Sequence, residues 1–250
     1  MTPLFIRPDW PAPSSVIARC TTRLGGCSVA PYENFNLAYH VGDADSSVAQ
    51  NRSILAAALP PNTKLSWLSQ VHGTAAVQAG QDRCASTADA QWSRSAGVAC
   101  VVLTADCLPI LLCSRSGDIV AAAHAGWRGL LSGVLETTVA AMNTKTDQLL
   151  AWLGPAIGPD AFEVGAEVRE GFLAAARPCE FTVAQCFTPN LTRPEHYFCD
   201  LYSLARIRLT ALGVTNVFGG GFCTYRDSER FYSYRRDGET GRMASLIMLR

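Results

Sequence analysis

The segment that most constrains the fold is residues 97–124, where three apolar runs follow one another closely. Residues 97–107 and 109–117 are rich in aliphatic and β-branched side chains, and a third run, 118–124, ends at His124. Apolar runs of this length, bounded by turn residues, are typical of buried strands. The sequence therefore predicts a β-sheet core whose central strands are consecutive along the chain.

The hydrophobic period changes immediately after His124. From this point the apolar residues recur at helical spacing, which predicts a helix that begins near Trp127. His124 is therefore expected to end a strand directly before a helix. The helical stripe consists of Leu130, Leu131, Val134, Leu135, Thr138, Val139 and Met142.

The remaining segments add strands and helices on both sides of this core. Strands outnumber helices and are partly consecutive, which favours an α+β fold with a mixed or antiparallel sheet over a doubly wound fold. The length of 250 residues is compatible with one domain, so we expect a single domain over 1–250. Further predicted strands are 16–22, 65–73, 74–78, 149–158, 215–221, 230–236 and 243–249, and further predicted helices are 48–59, 163–178 and 200–214.

Charge and export signals restrict the class of partner. Lys and Arg total 21 and Asp and Glu total 21, so no overall field attracts nucleic acid or an anionic membrane. Residues 224–238 combine aromatics and arginines, but the alternation within 230–236 more simply predicts a strand. The first 15 residues contain no apolar core typical of a signal peptide or anchor. We expect a soluble, cytoplasmic protein that binds a small molecule, and neither nucleic acid nor a membrane.

The ten cysteines are irregularly spaced and include no CxxC pair. Without an export signal, this pattern favours reduced cysteines that pack as small apolar groups over a disulfide framework. A functional cysteine must therefore be recognised from its neighbours.

Three residues with metal-binding side chains stand at the ends of predicted strands. His72 directly precedes Gly73, His124 lies two residues before Gly126, and Cys107 follows the run at 97–106. Two imidazoles and one thiolate form an acceptable zinc ligand set that leaves a fourth position for water. Their spacing matches no local motif such as HExxH. From the residues alone, a structural role for both histidines therefore remains open beside metal binding.

Five sequence blocks together resemble one protein family. They run from about Arg19 to the C-terminus and read TRLGGCS with PYENFNLAYHVGD, QVHG, LTADCLPIL, HAGWRG and LGPAIG. These blocks resemble the YfiH-like proteins, which are labelled polyphenol oxidase or laccase-domain proteins and are also described as purine nucleoside phosphorylases. The resemblance implies one α+β domain of packed sheets flanked by helices, with His72, Cys107 and His124 as metal ligands and catalytic residues.

The resemblance also implies a substrate class. It points to phosphorolysis of adenosine, inosine, guanosine or methylthioadenosine, with adenosine deamination at the same site. A zinc ion held by one thiolate and two neutral imidazoles keeps net positive charge and lowers the pKa of bound water to roughly 7, as hydrolytic deamination requires. Asp106 is a candidate acid or base, although a carboxylate that bonds backbone amides is an equal alternative.

Phosphorolysis also requires groups that bind phosphate and sugar. Arg128 in the first turn of the predicted helix and Arg23 beside two glycines are the candidates for phosphate, and Asn36 is the candidate for a sugar hydroxyl or base edge. Arg128 equally fits a structural role in which its side chain extends over Trp127 to solvent. For Asn36 the alternative is a side chain that hydrogen-bonds its own backbone. We expect purine nucleoside and phosphate as partners and a monomer or weak homodimer.

Two alternative activities remain open. Copper-dependent phenol oxidation follows from the laccase label, and Cu²⁺ can occupy a set of two histidines and a cysteine. A multicopper laccase needs many more imidazoles than the four histidines present. In the second alternative, Cys107 attacks an amide, such as that of a cell-wall peptide precursor, with His124 as its base.

Overall fold

The computed structural model describes residues 4–81, 85–177, 180 and 182–250. Among these residues strands outnumber α-helices, and eight strands follow one another between residues 64 and 125. The strands are β1 (Phe5–Ile6), β2 (Val16–Thr21), β3 (Lys64–Ser66), β4 (Leu68–Ser69), β5 (Ala76–Gln78), β6 (Ser86–Thr87), β7 (Ala90–Ser93), β8 (Val98–Thr104), β9 (Leu108–Ser114), β10 (Val120–Ala125), β11 (Leu149–Leu153), β12 (Glu163–Gly165), β13 (Phe187–Pro189), β14 (His196–Cys199), β15 (Asn216–Gly219) and β16 (Met243–Leu249). The α-helices are α1 (Asp45–Ala57), α2 (Trp127–Ser132), α3 (Val134–Met142), α4 (Ala166–Ala174), α5 (Leu201–Ala211) and α6 (Tyr234–Asp237).

Two mixed sheets form the centre of the molecule. The five-stranded sheet has the order β1-β2-β16-β8-β3, in which only β3 and β8 are parallel. The six-stranded sheet has the order β15-β11-β9-β10-β7-β5, with parallel pairs at both edges. The chain passes from the first sheet to the second at residues 105–107, between β8 and β9. Smaller sheets pair β12-β14-β13 and β4-β6.

The alternation of side chains along each strand explains why the two sheets pack face to face. Cys100 and Val102 of β8 belong to the same buried cluster as Leu111 of β9 and Ala122 of β10. This cluster fills the space between the sheets. The intervening residues of the same strands face outward, towards helices.

Helices cover the outer faces of both sheets. Leu55 of α1 packs with Val101 and Leu246 against the five-stranded sheet. On the other side, α2 to α5 pack on the six-stranded sheet, where Leu135 and Phe172 join the largest buried cluster. The predicted single α+β domain with packed sheets flanked by helices is therefore confirmed. No helix in the described part of the chain is long and apolar enough to cross a bilayer.

The strand predicted over 230–236 is wrong. Phe231 and Tyr232 are buried, but the backbone continues into α6, whose N-cap is Ser233. The Ser233 side chain accepts a hydrogen bond from the Arg236 amide. Such a cap stabilises a helix start, and this local bond outweighs the aromatic alternation that favoured a strand.

Two predicted helices differ from the structure at a glycine. The stripe that begins at Trp127 is divided into α2 and α3 by Gly133, which adopts a φ of 103°. Within 163–178, the residues up to Gly165 pair as β12, and the helix begins at Ala166. The predicted end of that helix at residue 178 lies outside the described residues.

We expect the layer between the sheets to carry much of the stability. Leu111 is fully buried there, whereas Leu191 is 96% exposed. Leu111→Ala should lower the free energy of unfolding by about 2–5 kcal/mol, because it removes apolar contacts and leaves a cavity. Leu191→Ala is the matched control and should change it by less than about 0.5 kcal/mol. Urea denaturation of both variants measures the difference, and equal losses would contradict this view of the core.

Candidate functional site

Three predicted ligand residues converge at one end of the space between the sheets. The ligand atoms of His72, Cys107 and His124 all lie within 4.8 Å of one another. The Cys107 Sγ atom lies 3.9 Å from His72 Nε2, and the two imidazole ring centroids are 4.8 Å apart at an interplanar angle of 75°. Three residues that are distant in sequence thus share one small volume.

His124 occupies the position that its strand dictates. In β10, Val120 and Ala122 face the layer between the sheets, and alternation carries the His124 imidazole to the same side. His124 is 3% exposed, and its Nδ1 lies 2.8 Å from Asp89 Oδ1. Because a carboxylate accepts and does not donate, Nδ1 carries a proton, and Nε2 is the ring nitrogen left to face a ligand.

The same Asp89 carboxylate holds the loop that carries His72. It accepts hydrogen bonds from the backbone amides of Val71, His72 and Gly73, at 3.2, 2.9 and 2.7 Å. His72 itself adopts a left-handed φ of 59°, which is uncommon for a residue other than glycine. Burial opposes ionisation of Asp89, but the hydrogen bonds from His124 and the loop amides lower its pKa. One buried anion therefore positions both histidines.

Cys107 lies on the crossover between the two sheets. The preceding residue, Asp106, has a φ of 86° and is held through both carboxylate oxygens. Its Oδ1 accepts from Thr224 Oγ1 at 2.6 Å, and its Oδ2 accepts from the Arg235 amide at 2.7 Å. These contacts match the alternative in which the Asp106 carboxylate has a structural role. The carboxylate fixes the turn that presents Cys107.

Gly126 allows these side chains to approach one another. A Cβ atom at this position would lie 2.9 Å from Cys107 Sγ and 3.3 Å from His72 Cδ2. Its φ of −61° is accessible to any residue, so space and not backbone conformation requires glycine here.

The electrostatics of the site differ from those of the core cysteines. Burial opposes ionisation of the Cys107 thiol, but the charges and hydrogen bonds of His124 and His72 lower its pKa to about 6. Burial likewise disfavours the His124 imidazolium, but Cys107 and Asp89 raise the pKa of His124 to about 9. In Cys100, by contrast, burial alone raises the pKa of the thiol. Cys107 is thus predisposed to the thiolate form that metals and electrophiles both require.

The donor set fits a divalent metal ion. Typical bonds of about 2.3 Å to sulfur and 2.0–2.1 Å to nitrogen allow two such donors on one ion to be as far apart as about 4.4 Å. The 3.9 Å between Cys107 Sγ and His72 Nε2 lies within that limit, and the 4.8 Å within which all three donor atoms lie exceeds it slightly. The bond from Asp89 to His124 is the partner that metal-binding histidines commonly have.

A cavity of about 430 Å³ opens directly onto the three residues. Its volume lies within the range of about 300–1,000 Å³ that is common for small-molecule sites. Its wall also includes His40, Gln70, Thr104, Tyr234 and Arg242. None of the described residues that line it is a carboxylate.

Gln70 fixes one side of this cavity to β8. Its Nε2 donates to the Leu103 carbonyl oxygen at 2.9 Å, and its Oε1 accepts from the Leu103 amide at 2.7 Å. Both ends of the amide are therefore used to attach the loop before His72 to the five-stranded sheet.

The three predicted substrate-binding residues have other partners in the structure. Arg23 donates to the carbonyl oxygens of Glu33 and Ser228, both at 3.0 Å. Arg128 lies over the Trp127 ring, 4.2 Å from its centroid. None of the three lines the cavity.

Asn36 has the most extensive set of internal bonds. It is fully buried, donates to the Ala38 carbonyl oxygen and to Asp43, and accepts from the backbone amides of Ala38 and Arg242. The alternative for Asn36, in which the side chain bonds backbone, therefore matches its contacts, and a role in substrate binding stays a prediction.

Sequence reasoning missed Asp89 and Arg242. Asp89 is the only charged residue in the segment 85–93, and such an isolated carboxylate beside a strand is the one signal that could have marked it. Arg242 immediately precedes the apolar strand β16 and carries no comparable signal.

Known proteins resemble the chain over nearly its whole length. Residues 17–250 match the family described as multi-copper polyphenol oxidoreductase laccase. A purine nucleoside phosphorylase of Pseudomonas aeruginosa is 54% identical over 245 residues, which cover 98% of each chain. The protein named purine nucleoside phosphorylase YfiH, from Escherichia coli K12, is 49% identical over 246 residues, again 98% of each chain.

Solved structures agree in fold. A crystal structure of a Neisseria meningitidis protein superimposes with a TM-score of 0.92 at 46% identity and covers 98% of each chain. YlmD from Geobacillus stearothermophilus gives a TM-score of 0.88 at 31% identity, over 98% of this chain and 96% of that one. The chain therefore belongs to the multi-copper polyphenol oxidoreductase laccase family, together with the YfiH proteins.

Proposed function

We propose that this chain is a zinc-dependent purine nucleoside phosphorylase formed by one catalytic domain over residues 1–250. The observation that carries the proposal is the convergence of His72, Cys107 and His124 on a cavity of suitable volume. The names of the similar Pseudomonas and Escherichia proteins support the reaction type. The proposed substrates are adenosine, inosine, guanosine and methylthioadenosine, and the same site would also deaminate adenosine.

His72, Cys107 and His124 would hold the zinc ion. When bound, zinc supplies a positive charge and lowers the pKa of a coordinated water molecule, which serves the deaminase activity. Asp89 contributes by holding a proton of His124 on Nδ1, so that Nε2 is the nitrogen that would bind the ion in place of its own proton. The zinc identity rests on the mixed nitrogen and sulfur donors, which zinc accepts readily.

Two residues of the cavity wall suit a purine nucleoside. Tyr234 is 62% exposed and lines the cavity, so its ring is available to stack on a purine base. Burial and the charges of Arg242 and Arg52 lower the pKa of His40, so this imidazole is neutral at neutral pH. A neutral imidazole offers one donor and one acceptor, with which His40 can hydrogen-bond a substrate without adding charge.

A second candidate function is supported by the contacts of Cys107. The Asp89 carboxylate contacts the His124 imidazole, and the imidazole contacts the Cys107 thiol, whose pKa is lowered. This is the arrangement of a cysteine nucleophile with an oriented base, and an amide is its natural substrate.

Copper-dependent phenol oxidation is less well supported. Among the described residues, His72, Cys107 and His124 form the only cluster with the donors to bind a metal. Of the other two histidines, His196 hydrogen-bonds with Arg193 and Pro194 and does not line the cavity. The histidines needed for a trinuclear copper cluster are therefore not assembled around this site.

Removing one ligand tests the reaction itself. His124→Ala should reduce kcat/KM for release of free base from inosine by more than about 100-fold, because loss of a residue that only orients a ligand already costs about 10- to 100-fold. His196→Ala is the control, since His196 lies on β14 and not in the cavity. The assay follows base and ribose 1-phosphate with and without phosphate. Equal rates for His124→Ala and the wild type would overturn the proposal.

Alkylation separates a metal ligand from a free nucleophile. Iodoacetamide should modify Cys107 slowly in the zinc-loaded protein and rapidly after chelation, because coordination occupies the thiolate. Mass spectrometry of the peptide that contains Cys107 measures the rate, and the buried Cys100 is an internal unreactive control. Rapid modification of Cys107 with and without chelator would instead support the cysteine hydrolase.

The close approach at Gly126 tests the metal geometry. Gly126→Ala should weaken zinc binding by about 10-fold or more. The new Cβ would lie 2.9 Å from Cys107 Sγ and would displace the sulfur atom. Gly221→Ala is the control, since no atom of the described residues lies within 4 Å of a Cβ atom there. Competition with a chromogenic chelator measures the affinity. Unchanged affinity in Gly126→Ala would show that the three side chains do not share one ion.

A further inference from the structure

The cavity contains a guanidinium group that has no acidic partner. Arg242 lines the same cavity as Cys107, and its Nη1 donates to the carbonyl oxygens of Thr240 and Gly241, at 2.8 and 3.0 Å. No carboxylate in the described part of the chain forms an ion pair with it, and no described residue accepts a hydrogen bond from its Nε or Nη2. The carbonyl contacts hold the group in place and leave two nitrogens available to a ligand.

Among the described residues that line the cavity, Arg242 is the one guanidinium and none is a carboxylate. The charges of Cys107 and Asp106 act on Arg242, and both Asp106 oxygens already accept bonds from Thr224 and Arg235. Arg52 adds a second positive charge near His40. Arg242 is half-buried, and an anionic ligand offsets the desolvation cost of a partly buried cation.

A second polar group on the same wall lacks a partner. Thr104 is 2% exposed and lines the cavity, and its Oγ1 atom is buried and forms no hydrogen bond with any described residue. Buried hydroxyl groups are normally satisfied, so an unpaired one beside a cavity indicates a ligand. Thr104 pairs with Met243 across β8 and β16, which places it next to Arg242 at the same end of the sheet.

We propose that Arg242 and Thr104 form a subsite for inorganic phosphate beside the His72, Cys107 and His124 centre. This inference rests on the proposed phosphorolysis and names the residues that bind its second substrate. A guanidinium donates two parallel hydrogen bonds to adjacent oxygens of an oxyanion, and the Thr104 hydroxyl supplies a third donor. The predicted candidates Arg23 and Arg128 do not line this cavity.

The subsite would serve the bond-making half of the reaction. An oxygen of hydrogen phosphate bonds to the anomeric carbon while the bond from that carbon to the purine nitrogen breaks. The electron pair of the broken bond stays on the nitrogen, which takes up the proton that hydrogen phosphate carried. The products are the free base and ribose 1-phosphate. Arg242 and Thr104 orient the phosphate and do not themselves exchange a proton.

Steady-state kinetics with inosine as the nucleoside test the assignment in the zinc-loaded protein. Arg242→Gln should raise the KM for phosphate by about 10-fold or more, with the KM for inosine changed less than about threefold, because a charge-assisted bond to phosphate is lost. Arg242→Lys should restore part of the phosphate affinity, since it keeps the charge but not the paired donors.

Thr104→Val should raise the phosphate KM without lowering the Tm, since the Thr104 hydroxyl has no hydrogen-bond partner among the described residues.

Arg226→Gln is the control, because its ion pair with Asp160 is exposed and neither residue lines this cavity. A binding measurement separates the subsite from the activity. Inorganic phosphate alone should raise the Tm of the wild type and of Arg226→Gln, but not that of Arg242→Gln. If Arg242→Gln does not fold, Arg242→Lys and Thr104→Val carry the same comparison.

The outcomes distinguish the two proposals. Phosphorolysis with an unchanged phosphate KM in Arg242→Gln and Thr104→Val would overturn the subsite and leave the proposed function intact. A phosphate-dependent Tm that requires Arg242, without any phosphorolysis, would support the subsite and overturn the function. The absence of both effects in the wild type would overturn both.

Discussion

The buried carboxylate of Asp89 is the interaction on which the site depends. It binds the His124 imidazole on one side and three consecutive backbone amides, including that of His72, on the other. Without this anion, the loop at 71–73 would have no common acceptor, and the His124 ring would have no fixed tautomer. The site is thus organised by a residue that does not face the cavity.

The family label and the geometry lead to different chemistry. The label refers to a multicopper oxidase, in which several copper ions are bound by many histidines. The structure offers one cluster of two imidazoles and one thiolate among the described residues, next to a cavity with an aromatic ring and a guanidinium. A single ion with an open coordination position suits group transfer and hydrolysis, which agrees with the names of the similar phosphorylases.

Sequence reasoning predicted the parts of the molecule that follow from local patterns. The strands around 97–124 and the helix after His124 were correct, because apolar periodicity over long segments is a strong signal. Their type and their place at strand ends made His72, Cys107 and His124 metal-binding candidates, and the resemblance to the YfiH-like proteins implied the same three residues. The strand at 230–236 was wrong, since Ser233 caps a helix that alternation does not reveal.

What the sequence could not provide was contact between distant segments. Asp89 lies beside a strand that pairs with that of His124, and Arg242 precedes a strand of the other sheet, so both are brought to the site by strand pairing that no local spacing encodes. The same limit explains Asn36, whose type suits ligand binding but whose burial and bonds to backbone depend on the fold around it.

The crossover at residues 105–107 has a mechanical consequence. Cys107 and His124 are attached to the six-stranded sheet, whereas Thr104 and Arg242 are attached to the five-stranded sheet. The width of the cleft between the metal donors and the guanidinium is therefore set by the thickness of the apolar layer between the two sheets. Because close-packed interiors are nearly incompressible, this layer acts as a spacer of fixed size. Selectivity for the length of a bound molecule would then reside partly in aliphatic side chains that never touch it.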